Sequence, residues 1–207
     1  MNDDRERFSA WCAGDAEAGA VLFDRYYPAV ARYFHNKVPD ALAADLVQAT
    51  FLAAVEGRDR FRAEGSVRSY LLGVAHNLLC RHYRTEYGRG RGREVDLSLM
   101  SVADLGPTVS QQIAGRQEQH LLLLALRSIP FELQEVLELH YWEELDTAQI
   151  GEIVGIPRGT VKSRMARGRR LLEAELSRLT ADPTLVQSTL ASLEDWAAKL
   201  REQIDRP

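Results

Sequence analysis

The segment from Thr147 to Arg170 constrains the fold more than any other part of the chain, because it has the residue pattern of two helices joined by a tight turn. Gly155 can adopt a positive φ at the turn without a steric penalty. Pro157 fixes φ near the value at which a second helix begins. Gly151 leaves room for the two helices to cross closely. The pattern predicts a helix-turn-helix whose packing residues are Ile150, Ile153, Val154, Ile156, Val161 and Met165.

The outward face of the second helix is basic, and the stretch from Arg158 to Arg170 contains no acidic residue. Guanidinium, ammonium and hydroxyl groups on such a helix can donate to base edges in a major groove and to the phosphates beside it. The plain alternative is an amphipathic surface helix with a solvated basic face. We interpret the segment as a DNA-binding helix with candidate contacts Arg158, Thr160, Lys162, Ser163, Arg164 and Arg167.

Charge is segregated along the chain, although the net charge of its 207 residues is only −4. Acidic residues gather between Glu132 and Glu152, directly before the basic helix, and a second basic cluster lies between Arg81 and Arg93. Local fields rather than the total charge steer DNA. This distribution therefore allows DNA binding at two places, while the acidic faces meet protein or solvent.

Other features exclude several classes of protein. No apolar run approaches the ~18 residues of a membrane span, and the opening MNDDRER lacks the charged-then-apolar pattern of an export signal. Two cysteines, Cys12 and Cys80, are too few for a disulfide framework and are typical of a reducing cytoplasm. We therefore expect a cytoplasmic protein that does not contact a membrane.

Helical periodicity dominates the chain, and the sustained alternation that is typical of strands is nearly absent. Residues 85–108 alternate glycine with arginine, then turn acidic, and are predicted to form a flexible linker. The sequence thus predicts an all-α fold of two small domains, 1–84 and 109–179, followed by an extension, 180–207, that carries one amphipathic helix. The helices before the helix-turn-helix are expected near 18–36, 41–56, 67–83, 109–128 and 131–144.

Three sequence motifs carry a resemblance to a known family. ADLVQATF (44–51), FRAEGSVRSYLLGVAHNLL (61–79) and GTVKSR (159–164) occur in the order seen in extracytoplasmic-function (ECF) sigma factors of the sigma-70 family. The resemblance covers about 21–84 and 109–179. It implies a non-enzymatic protein without cofactor or metal that binds promoter DNA and core RNA polymerase, at the clamp of the β′ subunit and the flap of the β subunit. It also suggests an anti-sigma protein as a further partner.

The resemblance further implies roles for the first domain. The helix containing ADLVQATF would bind the polymerase clamp through Asp45, Leu46, Gln48 and Phe51, although a solvated acidic face is the plain alternative. The following loop and helix would capture the unpaired downstream (−10) promoter element, because aromatic and basic groups stack and hold single-stranded bases. The candidate residues for this capture are Arg58, Arg60, Phe61, Arg62, Ser66, Tyr70, His76 and Asn77, with core packing as the alternative for Tyr70 and Phe61.

Other interpretations remain open at this stage. A helix-turn-helix regulator that binds operator DNA without polymerase is the alternative function. His76, Cys80 and His82 lie close in sequence, but three ligands at this spacing without a distant fourth are a weak metal signal. The C-terminal helix has an apolar seam that must be buried, either by plain packing on its own chain or as a regulatory arm that holds the domains closed or docks a partner.

Overall fold

The computed structural model of the chain describes residues 2–61, 65–88, 96–105 and 117–204. These ranges contain α-helices and no β-strand, apart from an isolated bridge between Ser101 and Pro130. The helices are α1 (Asn2–Cys12), α2 (Ala16–Phe34), α3 (Asp40–Glu56), α4 (Val67–Gly88), α5 (Gln117–Ser128), α6 (Phe131–Tyr141), α7 (Thr147–Val154), α8 (Arg158–Leu179), α9 (Pro183–Ala191) and α10 (Leu193–Ile204). None of the described helices combines the length and apolar character that a bilayer span requires.

The first domain consists of α1 to α4, and its core lies where α2, α3 and α4 pack against one another. Asp15 caps α2, because its carboxylate accepts hydrogen bonds from the backbone N–H groups of Glu17 and Ala18. Helix α1, which the sequence analysis does not predict, packs on α2 and buries Phe8. The buried apolar residues of the longer helices include Leu22, Val30, Phe34, Val47, Phe51, Leu71, Leu72 and Leu79.

The second domain consists of α5 to α8 and contains the predicted helix-turn-helix. Asp146 and Gln149 form a capping box that satisfies the first N–H groups of α7. Gly155 has a φ of 70°, as the turn requires. A Cβ on Gly151 would lie 2.7 Å from the carbonyl oxygen of Ile156, which accounts for glycine at this crossing. The predicted packing residues are all buried or half-buried: Ile150, Ile153, Val154, Ile156, Val161 and Met165.

The described part of the linker, 96–105, packs more tightly than its composition predicts. Leu97, Met100 and Val102 are buried. The backbone N–H of Phe131 donates to the carbonyl oxygen of Met100 at 2.7 Å, which ties this segment to the start of α6. Composition is an average over the whole stretch, so it predicts flexibility and does not reveal that three apolar side chains become buried.

Several predicted boundaries need correction. Helix α4 continues to Gly88, and α6 ends at Tyr141 rather than near residue 144. Residues 109–116, predicted as the start of a helix, lie outside the described part of the chain. The extension forms two helices rather than one, because Ser192 leaves the helical conformation (φ −109°, ψ 20°). Its hydroxyl donates to the carbonyl oxygen of Ser188 at 2.6 Å, a local bond that competes with helix propagation.

The two domains pack against each other and share one continuous hydrophobic core. Helix α7 contacts α4, and the rings of Tyr83 and Phe131 meet edge to face across the interface at 5.0 Å. Helix α6 lies between the domains, so nine of its eleven residues are buried. The extension adds a second connection, since α10 contacts α2 of the first domain and α6 of the second.

Candidate nucleic-acid interface

The first half of α8 presents the predicted DNA-binding residues on the surface. Arg158, Lys162, Ser163 and Arg167 are exposed, whereas Thr160 is half-buried. Lys162 and Arg167 form no hydrogen bond or ion pair with any residue that the structure describes. Their charges are therefore available to a ligand without the loss of an internal contact.

Two other candidates on α8 are held by neighbouring residues. The Arg158 Nε donates to the Thr147 hydroxyl at 2.8 Å, which links the two helices of the motif. Arg164 is half-buried and paired with Glu132 of α6. These contacts hold the two guanidinium groups against their own domain, so DNA would have to share or replace the present partners.

A cleft of about 610 Å³ lies beside the loop and helix that are predicted to capture unpaired bases. Phe61 and Tyr70 line it, with ring centroids 5.3 Å apart, and Phe8 of α1 packs against both rings. The Tyr70 hydroxyl donates to the carbonyl oxygen of Gly57 at 2.7 Å. The Arg5 Nε donates to the carbonyl oxygen of Gly65 at 3.0 Å, so both ends of the loop are anchored.

Of the remaining candidates for base capture, Ser66 and Asn77 also line this cleft. Asn77 and Arg58 are exposed, and Ser66 is half-buried with its hydroxyl bonded to Ser69. Arg60 lies in a short 3-10 helix, 58–60, and its side chain is outside the described residues, as is the whole of Arg62. The structure thus brings Phe61, Ser66, Tyr70 and Asn77 together along one cleft.

His76 is placed differently from the other candidates, because its ring points at the second domain. Its Nδ1 lies 2.7 Å from a carboxylate oxygen of Glu135, which also accepts a hydrogen bond from Tyr33. Burial lowers the pKa of His76, but the charge of Glu135 and a hydrogen bond with Cys80 outweigh it and raise the pKa from 6.5 to about 10. In this arrangement His76 holds the two domains together rather than facing the cleft.

The ion pair between His76 and Glu135 predicts a defined pH dependence of stability. Since the folded pKa is raised, the pair contributes fully below pH 6.5 and its contribution is lost as the pH rises to about 10. The groups around the ring are Glu135 from α6, Cys80 from α4 and Tyr33 from α2, whose own pKa is well above 10. Urea unfolding from pH 6 to 10 should show the wild-type advantage over His76→Gln shrinking across this window. A constant difference would contradict the assignment.

The predicted polymerase-binding helix, α3, has a mixed face. Asp45 and Gln48 are exposed and Leu46 is half-buried, while Phe51 is only 4% exposed and packs on Phe23 inside the domain. Phe51 therefore supports α3 from within and is not available to a partner in this structure.

Leu52 is a further candidate on α3 that the sequence motifs do not single out. It is 62% exposed. It lies four residues after Gln48 and seven after Asp45, on the same face of the helix, and this spacing could have indicated it. A single exposed leucine is common on protein surfaces, so its place beside Asp45 and Gln48 is what makes it a candidate for the predicted polymerase contact.

No group of three or more His, Cys, Asp or Glu side chains that could hold a metal ion occurs in the described ranges. Cys80 contacts the His76 ring at 3.6 Å, but that ring is engaged by Glu135. His82 lies against Tyr83, with ring centroids 5.9 Å apart.

Comparisons with known proteins match both domains of the chain to one family. Residues 22–89 match the family model for sigma-70 region 2, and residues 119–172 match the model for sigma-70 region 4; together they cover more than half of the chain. An ECF RNA polymerase sigma-E factor of Haemophilus influenzae is 27% identical over 173 residues, which is 80% of this chain and 91% of the relative. The RNA polymerase sigma factor HrpL of Pseudomonas syringae pv. syringae is 24% identical over 132 residues, 64% of this chain and 72% of the relative.

Two solved structures share the fold. CnrH in complex with the cytosolic domain of CnrY superposes with a TM-score of 0.61 at 20% identity, over 86% of this chain and 99% of that one. RpoE in complex with the anti-sigma factor NepR from Bartonella quintana superposes with a TM-score of 0.55 at 21% identity, over 79% and 97%. With both conserved regions present in order on two helical domains, the chain belongs to the sigma-70 family and is an ECF sigma factor.

Proposed function

We propose that α8 reads the upstream (−35) promoter element as duplex DNA, while the first-domain side of the cleft, with Phe61, Tyr70 and Asn77, holds the unpaired −10 strand. The observation that carries this proposal is the separation of two suitable surfaces on two domains that match regions 4 and 2. The family membership favours a polymerase-bound role over the alternative of an operator-binding regulator. This activity involves no covalent step, and it places the chain in the cytoplasm with its polymerase.

On α8, Lys162 and Arg167 contact phosphates or guanine edges, and Arg158 and Arg164 add similar contacts by sharing or exchanging their present partners, Thr147 and Glu132. Thr160 and Ser163 supply shorter donors. Each good bidentate contact with a base contributes about 1–3 kcal/mol of discrimination. The positive end of the α8 dipole adds to the attraction, because no acidic side chain lies in its first turn.

In the cleft, Phe61 and Tyr70 offer ring faces and Asn77 offers an amide to unpaired bases. Stacking stabilises each base by about 1–3 kcal/mol, comparable with the few kcal/mol needed to unstack one. The cleft alone therefore does not melt a promoter. Binding to core polymerase must supply the remaining free energy, through α3 and the β′ clamp and through the second domain and the β flap.

Substituting Leu52 tests the polymerase surface. An exposed leucine that becomes buried on binding contributes about 1.5–3 kcal/mol, so Leu52→Lys should weaken core polymerase binding by about tenfold or more. Leu52→Met preserves apolar volume and should bind nearly as wild type. Thermal unfolding should be unchanged in both variants because the side chain is exposed. Equal affinities of the lysine and methionine variants would remove Leu52 from the interface.

Reconstituted transcription tests the proposed function as a whole. Core polymerase with this chain should initiate from a subset of a promoter library. The selected promoters should share two sequence elements that are separated by a constant distance. Core polymerase without the chain is the control. Tight operator binding by the free chain, with no association with core polymerase, would instead support the regulator. The two structural neighbours were solved with CnrY and with the anti-sigma factor NepR, so we include an anti-sigma protein among the proposed partners.

A further inference from the structure

At the interface between the domains, acidic side chains of the second domain meet basic side chains of the first. Three glutamates of the second domain, Glu135, Glu138 and Glu143, are each at most 7% exposed. Every one of them meets basic or hydroxyl groups of the first domain. Glu143 accepts from Arg32 at 2.8 and 3.1 Å and pairs with Arg68, Glu138 pairs with Lys37, and Glu135 binds His76 and Tyr33.

Helix α6 has an apolar side and a polar side, and both are buried. Leu133 and Leu137 of α6 face the second domain's own helix α8 at Gly168. The opposite side carries Gln134, Glu135 and Glu138, which would be solvated in a free second domain but are buried against the first. Buried ion pairs add little net stability but specify one arrangement, and loss of a single partner is strongly unfavourable.

The packing and hydrogen bonding of this interface are incomplete, as expected if the two domains must separate. A small, partly open cavity lies between the end of α2 and α6, lined by His35, Asn36 and Glu138. The His35 Nε2 and the Asn36 Oδ1 are buried there without a hydrogen-bond partner among the described residues. Unsatisfied polar atoms lower the stability of the closed arrangement.

The closed arrangement competes with the proposed capture of unpaired bases. Glu152 and Ile153 of α7 form one wall of the cleft that Tyr70 and Asn77 line. A Cβ on Gly73 would lie 3.9 Å from the carbonyl oxygen of Ile153, so α7 rests directly on α4. An entering strand would meet the Glu152 carboxylate, which repels phosphate.

The C-terminal extension also holds the two domains in the closed arrangement. Its side chains Leu193, Trp196 and Ala197 are buried, and α10 contacts both α2 and α6. Helix α9 packs on α5 and α8 of the second domain. The extension therefore bridges the domains as well as packing on one of them.

We propose that the free chain is self-inhibited: the acidic side of α6, with Glu143, occupies the basic face of the first domain formed by Arg32, Lys37, Arg68 and His76. Polymerase and promoter DNA bind the open form, in which the domains are separated. Helices α9 and α10 further stabilise the closed form. This inference rests on the proposed function, since it names how the residues that capture unpaired bases are kept from their ligand, whereas the α8 surface stays exposed.

Cys80 offers a direct readout of opening. It is 4% exposed and lies on α4 between His76 and Tyr83, the residues that meet α6. In a Cys12→Ser background, Glu143→Gln should raise the rate of Cys80 alkylation by iodoacetamide about tenfold or more, because Arg32 and Arg68 lose their charged partner. Glu173→Gln removes the same charge at an exposed position of α8 and should leave the rate at that of wild type. Intact mass spectrometry gives the rates, and circular dichroism verifies the fold.

If Glu143→Gln fails to fold, Arg68→Gln takes its place, because that side chain is one-third exposed and its loss should be tolerated. A smaller increase in the same direction is then expected. Folded Glu143→Gln or Arg68→Gln protein that alkylates at the wild-type rate overturns the proposal.

Core polymerase separates this inference from the proposed function. Glu143→Gln should bind core polymerase more tightly than wild type, since the apparent affinity of a protein scales with the fraction in its binding-competent form. Binding by neither protein would refute the proposed function and leave the alkylation result to decide on self-inhibition. Binding by both with equal affinity, together with faster alkylation of the variant, would show that closure exists but does not inhibit, and would overturn the proposal.

Discussion

Replacing Lys162 and Arg167 together with alanine should weaken binding of the reconstituted holoenzyme to promoter DNA by about two orders of magnitude, since each contact contributes about 1–3 kcal/mol. Both side chains are exposed on α8 and form no hydrogen bond or ion pair with a described residue, so their loss should leave the fold intact. If both neutralise phosphates, the slope of log affinity against log salt should fall by about 2. Binding titrations at several salt concentrations measure both quantities.

The matched control removes two exposed cations elsewhere. Arg7→Ala with Arg178→Ala deletes the same charge, and both residues are paired within their own helices, with Asp3 and with Glu175. The control should change neither the salt slope nor the promoter preference by a comparable amount. Similar losses in both double variants would mean that general attraction, rather than the α8 face, directs binding.

Truncating Ile150 to alanine should have the largest effect on stability in the second domain. The side chain has no exposed surface and packs α7 onto α8, and truncation of a fully buried isoleucine costs about 2–5 kcal/mol. Helix α7 has eight residues and is too short to persist without that packing. Recognition of the −35 element should therefore be lost, while core polymerase binding through α3 of the first domain should be largely kept.

Val154→Ala is the matched control for this substitution, because Val154 lies on the same helix but is only half-buried. Its cost should be well below that of Ile150→Ala. Urea unfolding gives the free energies, and amide hydrogen exchange in α7 and α8 locates the change. Equal costs for the two variants would contradict the packing described for the motif.

Local patterns predicted the parts of this protein whose structure is set by neighbouring residues. The turn at Gly155, the crossing at Gly151 and the stripe of Ile150, Val161 and Met165 depend on φ, on the size of one side chain and on helical spacing, and all three are confirmed. The exposure of Leu52 on α3 does not follow from such a pattern. A helical stripe gives only the angle of a residue, and the neighbouring helices decide how wide the buried sector is.

The candidate sites divide in the same way. The exposed cations of α8 follow from the period of the helix, so their surface position could be predicted. The partner of His76 could not, because Glu135 lies 59 residues away and belongs to another domain. The sequence could show only that α6 carries acidic residues, which are compatible with solvent or with protein.

What the sequence alone determined is thus the all-helical architecture, the helix-turn-helix and the family, because these depend on short-range periodicity and on motifs of a few residues. Only the tertiary structure decided that Glu135, Glu138 and Glu143 are buried against Arg32, Lys37, Arg68 and His76, and that the extension bridges both domains. Charge pairing across domains joins residues far apart in the chain. It depends on how two finished surfaces meet, and no local pattern specifies that.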